Sequence, residues 1–315
     1  MPDDRAAATS IPEPSAPSPE HRGRLMRWAS YASVSAASVM IAAKLAGWIA
    51  TGSVSVLSTL IDSFLDVGAS LVNLIAIHHA LQPADHEHRF GHGKAEPLAG
   101  LAQAAFIAGS AAFLLIEAGH RLFEPQAIAR TDFGIAVIVL SIAITLVLVA
   151  FQMYVVRRTG SVAIRADSLH YRSDLLLNLG VLASLVLVRE LGWTLADPLL
   201  AVLIAGYILR GAWMIGKTAL DHLMDRELPD EDRQRIRGIA LAHPGVRDLH
   251  DLRTRASGTQ FFIQLDLEMD GELSLNAAHA IAEEVMERVA SAYPKAEVFI
   301  HQDPHGIHEP HHKFV

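Results

Sequence analysis

Four ionisable residues interrupt long apolar runs in this chain. Asp62 and Asp66 fall within LIDSFLDVGASLVN, and His170 and Asp174 within RADSLHYRSDLLLN. Members of each pair are four residues apart, so on a helix both project from one face. Ser70 and Asn73 continue the first stripe, and Asn178 extends the second. Ionisable groups at mid-bilayer cost roughly 2.5 kcal/mol or more each by insertion scales, so they face a partner or a pathway. At about 1.5 Å per residue, Asp62 and Asp66 lie about 12 and 18 Å from the outer end of their span. His170 and Asp174 lie about 14 and 20 Å from the inner end of theirs, by the same rise. In a hydrocarbon core of about 30 Å these depths overlap. Three carboxylates and one imidazole match the donor count of tetrahedral zinc. Interhelical hydrogen bonds or a structural ion pair are the plainer reading. Against it, the three acids outnumber Arg172, the basic residue of these two segments at matching depth, and the excess negative charge is what a bound cation would neutralise.

The composition agrees. The 315-residue chain is 51% hydrophobic and 19% charged, below the about 25% charge of ordinary soluble chains. It has 17 His and no Cys, which excludes disulfides, thiolate zinc ribbons and a cysteine nucleophile. Any metal site is then built from imidazole and carboxylate, a set that suits zinc and other first-row divalent ions and fits copper(I) poorly. A net charge of −8 without a basic stripe argues against nucleic acid. No HExxH falls on a helical segment, since the HEPHH at 308–312 carries a helix-breaking proline, and neither an enzyme nor an organic cofactor is expected.

Positioning those residues requires membrane-spanning helices. Six apolar segments run roughly over 31–50, 54–81, 95–118, 134–156, 161–188 and 195–215. Each reaches the roughly 18–25 residues needed to cross a bilayer, and backbone in lipid must pair internally, so all six are read as helices. With the N-terminus inside, the inner flanks hold Arg22, Arg24, Arg27, Arg89, Lys94, Arg157, Arg158 and Lys217, against Arg121, Arg130 and Arg189 outside. The positive-inside rule then places both termini in the cytoplasm of a multi-pass protein of the inner (plasma) membrane. Lys44, near the outer end of the first span, is read as snorkelling.

Residues 1–25, rich in Pro, Ser and Ala, read as a disordered tail; 26–222 form the all-α six-helix transmembrane bundle; 223–304 form a cytosolic domain; 305–315 are a His-containing tail. In the cytosolic part, Pro229–Ala242 and Ser274–Ala292 have helical periodicity, while Val246–Arg255, Phe261–Met269 and Ala296–Gln302 alternate like strands. The order αββαβ predicts a small α+β domain.

The quartet, the loop LQPADHEHRFGHGKAE and the downstream HDLRTR and IHQDP resemble the cation diffusion facilitator family, nearest its bacterial zinc and ferrous-iron efflux branch. The resemblance, from about Met26 to Gly306, implies a homodimeric, proton-coupled antiporter exporting divalent cations. Zinc comes first, with iron, cadmium, cobalt and manganese also accommodated. It implies a transport site of Asp62, Asp66, His170 and Asp174, and a ferredoxin-like or metallochaperone-like cytosolic domain. It also implies a loop site at Asp85, His88 and His92, with His86 and Glu87 beside it, and a cytosolic zinc cluster of His250, Asp266, His279, His301 and Asp303. Where close relatives carry His in the second strand, this chain has Asp266. A charge interlock between Lys94 and Asp225 is a further implication. The tail residues His305, His308, His311 and His312 have no family counterpart and read as solvated. Three alternatives compete: a magnesium channel, which His170 opposes because magnesium prefers octahedral oxygen; a membrane metalloenzyme; and a metal sensor, for which an intramembrane carboxylate pathway is unnecessary.

Overall fold

The computed structural model describes residues 19–51, 54–123, 132–193, 195–258, 260–294 and 296–306. Six long helices come first: α1 (Pro19–Thr51), α2 (Val54–Ala80), α3 (Ala95–Phe123), α4 (Asp132–Thr159), α5 (Val162–Leu191) and α6 (Ala196–Leu223). Among the described residues, α1, α2, α3, α4 and α6 are long and apolar enough to cross a membrane. Helix α5, at 30 residues, has the length, but Arg165, Asp167, Arg172 and Asp174 crowd its first half. It is sheltered by α3, α4 and α6, which pack along it.

Outward faces of the bundle are apolar: Phe113, Val147, Leu203 and Trp213 are each at least 70% exposed. Such surface is what lipid covers. Inward faces use small residues. Ala104, Ala111, Ala166, Ala212 and Ala219 sit in one buried cluster between α3, α5 and α6, and a Cβ on Gly211 would lie 2.8 Å from the Leu169 side chain. Close backbone approach of this kind drives helix association where no hydrophobic force operates.

Helix α5 has a defined start. Gly160 (φ +70°) ends the preceding turn, the Ser161 hydroxyl accepts from the Ile164 N–H, and the buried Glu96 carboxylate of α3 accepts from the Val162 N–H at 2.8 Å. An anion on a helix N-terminus is electrostatically favourable. These caps fix the helix that carries His170 and Asp174.

The composition predicts a disordered tail over 1–25, but α1 is helical from Pro19; residues 1–18 lie outside the described set. Polar residues Glu20, His21, Arg22 and Arg24 hide this extension from a hydropathy reading, while Met26 beside them is buried against Ile77 and Val155. Lys44 does not snorkel: its Nζ donates to Ser63 Oγ of α2 at 2.6 Å. In the C-terminal tail, His308, His311 and His312 lie outside the described residues.

The C-terminal domain follows the expected order: α7 (Asp230–Leu241), β1 (Asp248–Ser257), β2 (Gln260–Met269), α8 (Leu275–Ala292) and β3 (Ala296–Pro304). The sheet runs β1-β2-β3, antiparallel then parallel. Ile263, Leu265, Leu267 and Met269 alternate onto the face that packs with Ile236, Val285 and Val289 of the helices. The opposite face carries Asp266, Glu268, His301 and Asp303, because side chains along a strand alternate with period two. A bulge between His250 and Arg253 breaks the register of β1.

The β1–β2 turn docks on the α2–α3 loop. Lys94 reaches Asp225 at 3.0 Å, the interlock expected from the resemblance. Both side chains are about two-fifths exposed, so the pair is worth about 0–1 kcal/mol. Packing does more here: Phe90 meets Phe262 edge-on at 5.7 Å, and the Arg255 guanidinium covers both rings. A Cβ on Gly93 would lie 2.3 Å from the Ser257 carbonyl oxygen. Gly93→Ala should therefore lever the turn away from the loop, without unfolding either domain. Faster proteolysis at the loop with an unchanged helical circular-dichroism signal is the expected result; wild-type proteolysis would contradict the close docking.

Candidate metal centres

Within the bundle, α2 and α5 bring three donors together. His170 Nε2 lies 3.0 Å from Asp66 Oδ1 and 3.8 Å from Asp174 Oδ2, and all three residues offer donor atoms within 4.8 Å of one another. His170 is buried, and Asp66 and Asp174 are half-buried. Asp62 lies one helical turn before Asp66 on α2; its side chain is outside the described set, so the structure shows three members of the predicted quartet meeting. The stripe below them is polar and buried. Tyr171 donates to the Ser33 carbonyl at 3.2 Å, which leaves the Ser70 hydroxyl to donate to the Tyr171 oxygen at 2.9 Å. Next on the stripe, Asn73 is buried with neither amide atom hydrogen-bonded.

Sequence reasoning missed Asp167. This fully buried carboxylate accepts from Ser33 Oγ of α1 at 2.5 Å, Gln103 Nε2 of α3 at 3.2 Å and Gln152 Nε2 of α4 at 2.7 Å. It ties α5 to three other helices. Its place three before His170 and seven before Asp174 puts it on the same helix stripe, but its partners lie 134, 64 and 15 residues away and no local spacing names them.

The loop residues also converge. Asp85 Oδ1 lies 3.4 Å from His88 Nδ1, and Asp85 Oδ2 lies 3.3 Å from His92 Nε2. The backbone N–H groups of His88 and Glu87 bond to the Asp85 carboxylate; the His88 bond is the main reason its pKa lies below the ordinary range. His92 is buried, with its Nδ1 unbonded, and the His79 ring from the end of α2 lies 4.8 Å from it. His79 was not among the expected residues.

In the cytosolic domain, His250 is the hub. Its Nδ1 lies 3.6 Å from Asp266 Oδ2, and its Nε2 lies 3.5 Å from Glu268 Oε1 and 3.4 Å from Asp303 Oδ2. His301 Nε2 meets Asp303 Oδ1 at 3.0 Å. Asp251 joins His250 and Asp266 within 4.8 Å. Asp266 thus points at His250 and not into solvent, and burial, with Asp303 nearby, raises its pKa against the pull of His301 and His250. His279 is not brought into this group: it is 65% exposed on α8, 4.0 Å from Glu283. Glu268 and His305, paired at 2.7 Å, were missed as site residues, although each is two positions beyond a predicted one.

A sequence profile of the cation efflux transmembrane domain matches residues 30–224, and one of the cation efflux protein cytoplasmic domain matches residues 228–305. The cation-efflux pump FieF of Shewanella oneidensis is 51% identical over 279 residues, covering 89% of this chain and 94% of that protein. FieF of Serratia proteamaculans is 48% identical over 284 residues, covering 90% and 94%. Among solved structures, the metal-bound C-terminal domain of the CzcD transporter from Thermotoga maritima is 30% identical, covering 25% of this chain and 93% of that one, with a TM-score of 0.24.

Proposed function

Because this chain belongs to the cation diffusion facilitator family, whose membrane members move divalent metal cations outward, we propose that it exports zinc from the cytoplasm in exchange for protons. Asp62, Asp66, His170 and Asp174 are the transport ligands. The observation that carries this reading is the convergence of Asp66, His170 and Asp174 inside the bundle. Donors bound to one zinc at about 2.0 Å stand roughly 3.3 Å apart, and the 3.0 and 3.8 Å separations bracket that value. Ferrous iron, cadmium, cobalt and manganese are alternative cargoes for the same ligands.

Proton exchange follows from ligand chemistry. Zinc binds neutral imidazole and ionised carboxylate, so loading expels protons and protonation expels zinc. The site alternates its exposure by rocking of helix groups around it. The protein sits in the inner (plasma) membrane with both termini cytoplasmic, works as a homodimer joined partly through its cytosolic domain, and takes zinc there and at Asp85, His88 and His92 as a regulatory ion. Exposed Phe299 on the uncovered sheet face supports a partner surface at the cytosolic domain.

The test is zinc uptake into proteoliposomes with internal pH followed in the same vesicles. Zinc entry coupled to proton exit, accelerated by an imposed gradient, is expected; zinc flux with no proton counterflow would favour a channel. His170→Asp refines the selectivity claim. An all-oxygen site loses the borderline-soft nitrogen, so the manganese-to-zinc transport ratio should rise roughly tenfold or more, the scale of ligand-environment changes. An unchanged ratio would remove His170 from selectivity.

A further inference from the structure

Where the bundle meets the C-terminal domain, a cavity of about 560 Å³ lies between the start of α1, the α2–α3 loop and the β1–β2 turn. That volume falls in the ~300–1,000 Å³ range of small-ligand sites. Its lining includes Arg24 and Arg27 of α1, Gln82 and His92 of the loop and Gln260 of β2, with Glu20 as the one acid. Building on the cytoplasmic placement of the N-terminus proposed above, we propose that this cavity binds the phosphate headgroup of an anionic phospholipid from the inner leaflet.

Charge selects the class of ligand. Two guanidinium groups against one carboxylate repel a divalent cation, so the cavity is no vestibule for the cargo. Neither Arg24 nor Arg27 has an ion pair among the described residues. Guanidinium forks match phosphate oxygens two at a time, and basic pockets beside transmembrane helices on the cytoplasmic side suit anionic headgroups.

The face of α1 selects lipid over a free anion. Arg24, Arg27, Trp28 and Tyr31 stand at positions i, i+3, i+4 and i+7 of one helix, and so share a face. Trp28 and Tyr31 are 65% and 49% exposed and meet edge-on, with ring centroids 6.4 Å apart. Exposed Trp and Tyr sit at the headgroup level of a bilayer. One face of α1 therefore passes from aromatic surface at the membrane boundary to guanidinium groups in the cavity. A lipid with its upper chains along the rings delivers its phosphate to the two arginines; a free phosphate gains nothing from the rings. Seated there, the headgroup bridges α1 to the β1–β2 turn and tightens the joint that Lys94, Phe90 and Phe262 already make.

Native mass spectrometry of the full-length protein in detergent, titrated with phosphatidylglycerol, tests the site. Arg24→Gln with Arg27→Gln should weaken one lipid-binding event per chain about thirtyfold, the electrostatic share of two near-surface arginines. Gln260→Glu keeps both arginines and should weaken the same event by setting a carboxylate against the phosphate. Arg157→Gln with Arg158→Gln is the control: these exposed residues end α4 on the same side of the bundle but do not line the cavity, so their loss should cost far less. Arg24 and Arg27 are themselves exposed, and an unchanged size-exclusion profile confirms that their variant folds. Wild-type lipid affinity in either cavity variant would overturn the proposal. Equal losses for the two arginine pairs would also overturn it, by reducing the effect to general basic charge. Inorganic phosphate displacing the lipid at comparable concentration would replace the lipid site with one for a soluble anion. The titration contains no zinc and no bilayer orientation, so its failure counts against this site alone, while failed proteoliposome flux counts against the transport reading.

Discussion

Zinc flux should fall at least about a hundredfold in Asp66→Ala and in Asp174→Ala, since even outer-shell partners of a metal site typically cost 10–100-fold when removed. Each substitution deletes an anionic donor from the group around His170. What remains is a site with less charge to offset the dehydration of a divalent ion. Folding should survive both changes. Neither side chain fills a packed core, being 16% and 29% exposed, and removing one acid from a cluster of acids relieves repulsion. The measurement pairs proteoliposome flux with size-exclusion profiles of the purified variants. Flux near wild type in either variant, with normal profiles, would sink the transport-site assignment.

Much of this architecture was legible because bilayers impose length and polarity so strictly. The six helices and the αββαβ order of the cytosolic part both appear, with boundaries that differ by a few residues at most elements beyond α1. The residues proposed for transport were legible for a local reason: spacing by four is visible in the sequence, and it places Asp66 and the His170–Asp174 pair on facing stripes. Features that depend on tertiary placement were not. Asp167 stands three residues before His170 and seven before Asp174, on the same stripe of α5 by helical spacing, but its partners on α1, α3 and α4 are set only by tertiary packing. Lys44 read as a snorkelling end because nothing in the sequence brings Ser63 within 2.6 Å. In the cytosolic sheet, the period of two already placed Glu268 beside Asp266. The parallel pairing of β2 with β3, which sets Glu268 against Asp303, was needed to show that these two carboxylates are neighbours. His279 shows the converse, a residue grouped by resemblance that this chain's own fold leaves apart.

Loss of Asp167 should be the most damaging single change to the bundle. Asp167→Ala removes the acceptor shared by Ser33, Gln103 and Gln152 and strands their donors in a dry interior. Interhelical hydrogen bonds in membranes average about 0.6 kcal/mol each, which would total about 2 kcal/mol. A buried donor left without its acceptor costs about 1–3 kcal/mol, and up to three neutral donors are left here. The second figure governs here, as three donors converge on one fully buried carboxylate. For a bundle of this size a loss of that order lowers the unfolding midpoint by roughly 5–15 °C, measurable by size-exclusion after heating in detergent. Asp167→Asn separates geometry from charge. The Gln152 Oε1 atom is buried and unbonded, so a flip of the Gln152 amide would give the new side-chain N–H an acceptor while the Ser33 hydroxyl reorients. Asp167→Asn should therefore keep most of the midpoint that Asp167→Ala loses. Equal midpoints for Asp167→Ala and wild type would show that α5 is held by apolar packing alone. If Asp167→Asn falls as far as Asp167→Ala, the negative charge itself is what binds the four helices together.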